Sequence, residues 1–214
     1  MNEFENQAQQ YWDERYRREG QIWGQGVSRT AWIAIQLFGQ DDAKKILVPG
    51  SGYGRHTTLL AGSGFDVTGI EISSEAVKLA REYDRRTHFI QGSALAMSGG
   101  LDRYDAIYCF NLLHLFLENE RSRLIRECAR SLKGHGLMFF TVFSEKDPDY
   151  GQGPEIEKNT FATRPGRPAH YFTEDDLVAH FALYRTVELG TVADPENHGG
   201  RPHVHALRYI CART

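Results

Sequence analysis

An apolar run over residues 45–49 ends in Gly50-Ser51-Gly52-Tyr53-Gly54, and a helix-like stretch over 55–60 follows at once. Three glycines in five positions let the chain turn sharply and let a ligand reach backbone where a Cβ would collide. The rhythm continues with a strand over 66–72 and a helix opened by the capping-box-like Ser73-Ser74-Glu75-Ala76, running through Val77 and Ala80. Strands over 88–91 and 104–110, a helix over 119–132 and a strand over 137–143 extend it. Such alternation implies parallel strands joined by right-handed crossovers. The expected architecture is α/β, a doubly wound and mostly parallel sheet with helices on both faces.

The two ends depart from that rhythm. Residues 7–19 are polar, with Trp12 and Tyr16 on one face at i,i+4 spacing, and read as an amphipathic helix. Gly20, Gly24 and Gly26 break it, and Ser28 is the expected N-cap of a second helix through Trp32, Ile35 and Phe38. Residues 144–170, rich in Gly, Pro and charge, are expected to form a long loop of functional weight. Thr173 then opens a helix whose first turn carries Glu174, Asp175 and Asp176, where the helix dipole favours anions. Strands over 184–191 and 203–212 finish a chain of 214 residues, a length that fits one domain over 1–214.

A 41% apolar and 25% charged composition excludes disordered and fibrous classes. Net charge of −3 gives no footprint for a polyphosphate partner, so no nucleic acid is expected, and the basic residues 15–18 read as a solvated helix face. No apolar run approaches the roughly 20 residues of a membrane span, so no membrane partner is expected. Glu3 and Glu5 interrupt the opening, which lacks the apolar core of a secretory signal. A cytoplasmic location is expected. Cys109, Cys128 and Cys211 lack CxxC spacing and read as buried free thiols.

Glu71 closes the second strand about 20 residues beyond the glycines, the distance at which such a sheet sets a carboxylate against ribose hydroxyls. Together they call for a nucleoside-containing cofactor. A dinucleotide turn reads G-x-G-x-x-G, whereas this one reads G-x-G-x-G.

With residues 48–54, Glu71 and Phe110-Asn111-Leu112-Leu113-His114-Leu115-Phe116, the chain resembles the class I S-adenosylmethionine-dependent methyltransferases. The resemblance implies a Rossmann-like sheet with an antiparallel last strand and S-adenosylmethionine as cofactor. Gly50, Ser51, Gly52, Tyr53 and Gly54 would then line the cofactor with Glu71 and Ile72. Gly92-Ser93-Ala94-Leu95 is similar to the segment placed beside the adenine, although an Asp is common in the family where Ser93 stands. Tyr11-Trp12-Asp13-Glu14-Arg15-Tyr16 and Trp23-Gly24 resemble the small-molecule branch of tellurite-resistance and thiopurine methyltransferases. In that branch the N-terminal segment, here 1–40, folds as a lid over the cofactor, and 144–170 lies on the substrate side.

Several residues keep two readings. Tyr53 either faces the sulfonium, as aromatic rings attract cations, or packs; Trp12, Tyr16 and Trp23 either close the site or anchor the first helix. Asn111 and His114 follow the fourth strand and should point into the crevice, His114 as a base or as a hydrogen-bonding wall. Asp102 and Asp105 read as a solvated turn, and His88, His135 and His180 as surface or structural residues. In the tail His198-Gly199-Gly200-Arg201-Pro202-His203-Val204-His205, His203 and His205 share one strand face. The family layout puts that face on the substrate side. Contact with the acceptor is the first reading, support of the 144–170 loop the second, and metal ligation with His114 or His170 the third, because H-x-H supplies two ligands where a metal needs three or four. The expectation is in-line methyl transfer to a small-molecule acceptor, with His114, His203 and His205 as catalytic candidates and no metal. Its rivals are a non-catalytic S-adenosylmethionine-binding protein and an NAD-dependent oxidoreductase.

Overall fold

The computed structural model describes residues 3–97, 103–164, 167–198 and 201–214. Helices α1 (Glu3–Glu19) and α2 (Arg29–Gln40) precede β1 (Lys45–Pro49), α3 (Arg55–Gly62), β2 (Asp66–Glu71), α4 (Ser74–Tyr83), β3 (His88–Gln91) and β4 (Tyr104–Phe110). A 3-10 turn at Leu113–Leu115 leads to α5 (Glu118–Ser131) and β5 (Leu132–Phe143). Then come β6 (Glu155–Glu157), β7 (Thr160–Arg164), β8 (Arg167–His170), α6 (Glu174–His180), β9 (Arg185–His198) and β10 (Arg201–Arg213). The expected N-caps are in place: Ser28, Ser73 and Thr173 accept from the backbone N–H groups of Thr30, Ala76 and Asp176.

The main sheet has seven strands in the order β3-β2-β1-β4-β5-β10-β9. β1 to β5 are parallel, β10 is antiparallel to β5 and β9 is antiparallel to β10. Alternation along the central strands feeds two cores. In β4, Tyr104, Ile107 and Cys109 face one layer with Leu124, Cys128 and Phe172, while Ala106 and Tyr108 face the other with Ala34, Phe38 and Leu60. Both faces of the sheet are therefore covered. Strand order reverses around β1, so its carboxyl end, with that of β4, opens a crevice.

Three expectations need correction. Residues 144–170 are not a loop throughout, since β6, β7 and β8 form a separate antiparallel sheet that buries Phe161, Ala169 and Tyr171 against Phe143. β5 starts at Leu132 rather than at residue 137. β9 and β10 run on through Pro195 and Pro202. β9 is the sheet's edge, and β10 pairs with β5 only from Leu207 onward, so neither proline removes a needed ladder donor. No helix among the described residues is long and apolar enough to cross a membrane.

Close packing sets one test of the β1–β2 layer. A Cβ on Gly69 would lie 2.8 Å from both Phe89 Cδ1 and Ser51 Oγ. Gly69→Ala is expected to cost about 1–3 kcal/mol, a Tm drop of several degrees by thermal melting. An unchanged Tm would mean that Phe89 moves aside without penalty.

Candidate active site

The crevice is a cleft of about 760 Å³, within the usual range for small-molecule sites. Its floor is the glycine turn. Gly50 and Gly52 have φ of 65° and 56°, and a Cβ on them would lie 3.0 Å from Leu112 Cδ1 and the Tyr16 hydroxyl respectively. Glu71 lies beneath the turn, 7% exposed; its Oε2 accepts from Gly52 N at 2.9 Å and its Oε1 from Ser73 N at 2.8 Å. Burial pushes this carboxyl above its ordinary pKa, partly offset by backbone N–H groups of Ser73, Gly52 and Ile72. Trp23, Ser51, Tyr53, Ile72, Ala94 and Asn111 also line the cleft.

Gly54 does not. It caps α3, and a Cβ there would lie 3.2 Å from Phe89 Cζ and Thr57 Oγ1, so it serves packing behind the turn. Tyr53 packs against Tyr16 and Tyr83 and donates to the Gly24 carbonyl. Tyr53 therefore packs and borders the cleft at once. Ser93 reaches the cleft, but its hydroxyl donates to Glu5 Oε1 at 2.7 Å.

Helix α1 covers the cleft and is fastened at both sides. Asp13 accepts from Ser73 Oγ at 2.7 Å and from Glu75 N at 3.1 Å at the start of α4, where the dipole favours an anion. On the other side Arg167 donates to the Tyr11 hydroxyl at 2.6 Å, and its guanidinium lies 4.7 and 4.6 Å from the Tyr11 and Trp12 ring centroids. Arg15 stacks 4.5 Å from Trp23, so of the basic residues 15–18 it belongs to this lid rather than to the solvated face.

His114, His203 and His205 also line the cleft. His114 is 4% exposed, with its ring 4.1 Å from that of Phe143. Burial first, then Arg167, His205 and His170, push its pKa down to about 3. It is neutral at physiological pH, suited to hydrogen bonding and poor at taking up a proton. His203 Nε2 lies 3.1 Å from His205 Nε2, and His205 Nδ1 lies 2.9 Å from buried Asp147 Oδ2. Burial alone would lower the His205 pKa, but Asp147, aided by Glu196 and Asp149, raises it above its ordinary value. His170 does not join them; it bonds Thr160 Oγ1 and Asp176 Oδ2, each at 2.7 Å. Asp105 is no solvated turn, since it accepts from Lys44 N, Lys45 N and Lys133 Nζ. Asp102, Gly199, Gly200 and the His198 side chain lie outside the described residues.

Sequence reasoning missed Arg55, Asp147 and Glu196. Arg55 donates to the Trp23 and Gly26 carbonyls and pairs with Glu196 Oε1 at 3.2 Å, the two side chains 7% and 9% exposed. It ties the lid, the glycine turn and β9 together. The signal was weak: Arg55 directly follows the glycines, but its partners lie far away in sequence.

Among the described residues, the buried side-chain polar atoms without a partner are Ser51 Oγ, Asn111 Oδ1, His114 Nδ1, Asp194 Oδ2 and Arg213 Nε. The first three belong to residues that line the cleft. Ser51 Oγ lies on the Gly69 side of the turn, 2.8 Å from where a Gly69 Cβ would stand. A doubly wound sheet with a glycine turn and a carboxylate beneath it defines a nucleoside-cofactor fold.

Residues 47–140 match the family model described as Methyltransferase domain. A Pasteurella multocida ubiquinone biosynthesis O-methyltransferase is 28% identical over 160 residues, 67% of this chain and 64% of that protein. The chain spans 58–64% of the length of the curated relatives it matches first. Among solved structures, a Methanosarcina mazei S-adenosylmethionine-dependent methyltransferase superposes with a TM-score of 0.73 at 25% identity, covering 85% of this chain and 96% of that one. The Burkholderia thailandensis 1,6-didemethyltoxoflavin-N1-methyltransferase, with bound 1,6-didemethyltoxoflavin and S-adenosylhomocysteine, gives 0.67 at 20% identity, covering 99% and 86%. Residues 47–140 thus fit the Methyltransferase domain family, and the fold of the chain is that of S-adenosylmethionine-dependent methyltransferases. S-adenosylmethionine is the cofactor of that family.

Proposed function

We propose that the protein is a cytoplasmic enzyme transferring the methyl group of S-adenosylmethionine to a small-molecule acceptor. The observation that carries this reading is the Glu71 carboxylate held beneath the glycine turn in the lining of the cleft. The cofactor, when bound, supplies a methyl carbon activated by positive sulfur. The chain's own residues bind, orient and exclude water. Glu71 takes the ribose hydroxyls, since each carboxylate oxygen keeps acceptor capacity beyond its backbone bond. Ile72 and Ala94 give the adenine an apolar bed, and backbone at Gly50 and Gly52 meets the amino-acid end.

The acceptor enters beside Phe143 and meets His114, His203 and His205. A compact heteroaromatic or phenolic acceptor fits this aromatic wall, in keeping with the ligand of the Burkholderia relative and with a net charge of −3 that offers nothing to a polyanion. The lid formed by α1 supports the tellurite-resistance and thiopurine branch as the nearer subgroup. Calorimetry is expected to show micromolar binding of S-adenosylhomocysteine and none of NAD, with S-adenosylhomocysteine released when the right acceptor of a panel is supplied. Micromolar NAD binding without a response to S-adenosylhomocysteine would sink the assignment.

A further inference from the structure

The antiparallel register of β9 and β10 sets Glu196 opposite His203, and His205 lies two residues further along the same face. One ligand atom from each of Glu196, His203 and His205 falls within 4.8 Å of the others. All three residues line the cleft. We propose that they bind one divalent first-row transition-metal cation there.

Four observations converge on it. Nitrogens 3.1 Å apart and each about 2.0–2.1 Å from a shared cation subtend about 95–100°, between octahedral and tetrahedral values. Asp147, whose carboxylate accepts from Ala206 N and Asp149 N, takes the Nδ1 proton of neutral His205 and so turns its Nε2 lone pair toward His203. A carboxylate behind a ligating imidazole is the usual support for a metal-binding histidine. Two imidazoles and one carboxylate make a donor set that suits iron, zinc, cobalt or nickel and leaves coordination positions open on one side. Those positions face the cleft, where an acceptor oxygen or nitrogen would be drawn in and held.

Arg55 opposes this charge and also orders it. Its guanidinium engages Oε1 of Glu196 and holds the carboxylate beside His203, while Asp147, Asp149 and Glu196 together put three negative charges around His205. The field at His205 is thus net negative. His203 would give up its Nε2 proton or switch tautomer as the cation entered, since a metal takes only the neutral nitrogen.

The purpose of the cation rests on the methyltransferase reading, but its binding does not. The full chain, dialysed against a chelator and titrated with Zn²⁺ and Co²⁺ in a calorimeter, is expected to bind one equivalent with micromolar or tighter Kd. His203→Ala and Glu196→Gln should each weaken that binding at least tenfold. A His88→Gln/His135→Gln double variant, which removes two exposed imidazoles, should leave it unchanged. His203→Ala should keep S-adenosylhomocysteine affinity within about twofold, which shows that it is folded. No stoichiometric binding, or equal loss in the double variant, overturns the metal site. If zinc does not bind and His203→Ala still loses turnover, direct contact of the histidines with the acceptor stands alone; if zinc binds and S-adenosylhomocysteine does not, the cofactor reading falls and the cation remains.

Discussion

Turnover in His203→Ala and His205→Ala is expected to fall at least 100-fold, with S-adenosylhomocysteine affinity within about twofold of the parent. Both imidazoles line the cleft and neither belongs to the glycine turn, so truncation removes what meets the acceptor and leaves the cofactor's cradle intact. Losing an oriented group that positions or deprotonates a nucleophile costs about 10²–10⁴ in rate. In His205→Ala the buried Asp147 keeps its bonds from Ala206 N and Asp149 N, so the fold should survive. Steady-state release of S-adenosylhomocysteine, paired with calorimetry, separates the two effects. Full turnover in both variants would remove these residues from the reaction.

Glu71→Ala should weaken cofactor binding at least tenfold, because hydrogen bonds to a charged acceptor contribute about 1.5–3 kcal/mol each. It should also lower stability. From the sequence, a residue at a strand's end looks dispensable to the fold, but both Glu71 oxygens already hold backbone N–H groups of the turn and of the α4 start. Leaving two buried donors unpaired costs about 1–3 kcal/mol apiece. Glu71→Gln keeps one acceptor oxygen and should melt closer to the parent while still losing affinity. Parent-like affinity in Glu71→Gln at unchanged fold would mean that the ribose is bound elsewhere.

The central strands were legible because short apolar runs, glycine punctuation and the Ser73 cap agreed between residues 45 and 143. The β6–β8 sheet was not. Its strands are 3 to 5 residues long, interrupted by proline and charge, and held by contacts to Phe143 rather than by a local pattern. Glu196 could have been found. Gly199-Gly200 between two extended segments is a two-residue hairpin signal, and the register it dictates puts residue 196 opposite 203. Without that pairing, His203 and His205 supply two of the three or four ligands that a metal site needs. Arg55 and Asp147 lay beyond reach for another reason: their partners are 141 and 58 residues away, and spacing says nothing about such separations.

The three cysteines are all buried, and that bears on chemoselectivity. A sulfonium methyl donor is an alkylating agent, and thiolate is the most competent nucleophile a protein can offer it. Cys109 sits one residue before Phe110, which lines the cleft, yet it points into the apolar layer on the other side of β4 and burial pushes its thiol far up. Cys128 is raised in the same way. Cys211 is pushed up to about 12 by burial and the neighbouring Glu188. The protein is thereby spared alkylation of its own sulfur by the reagent it carries.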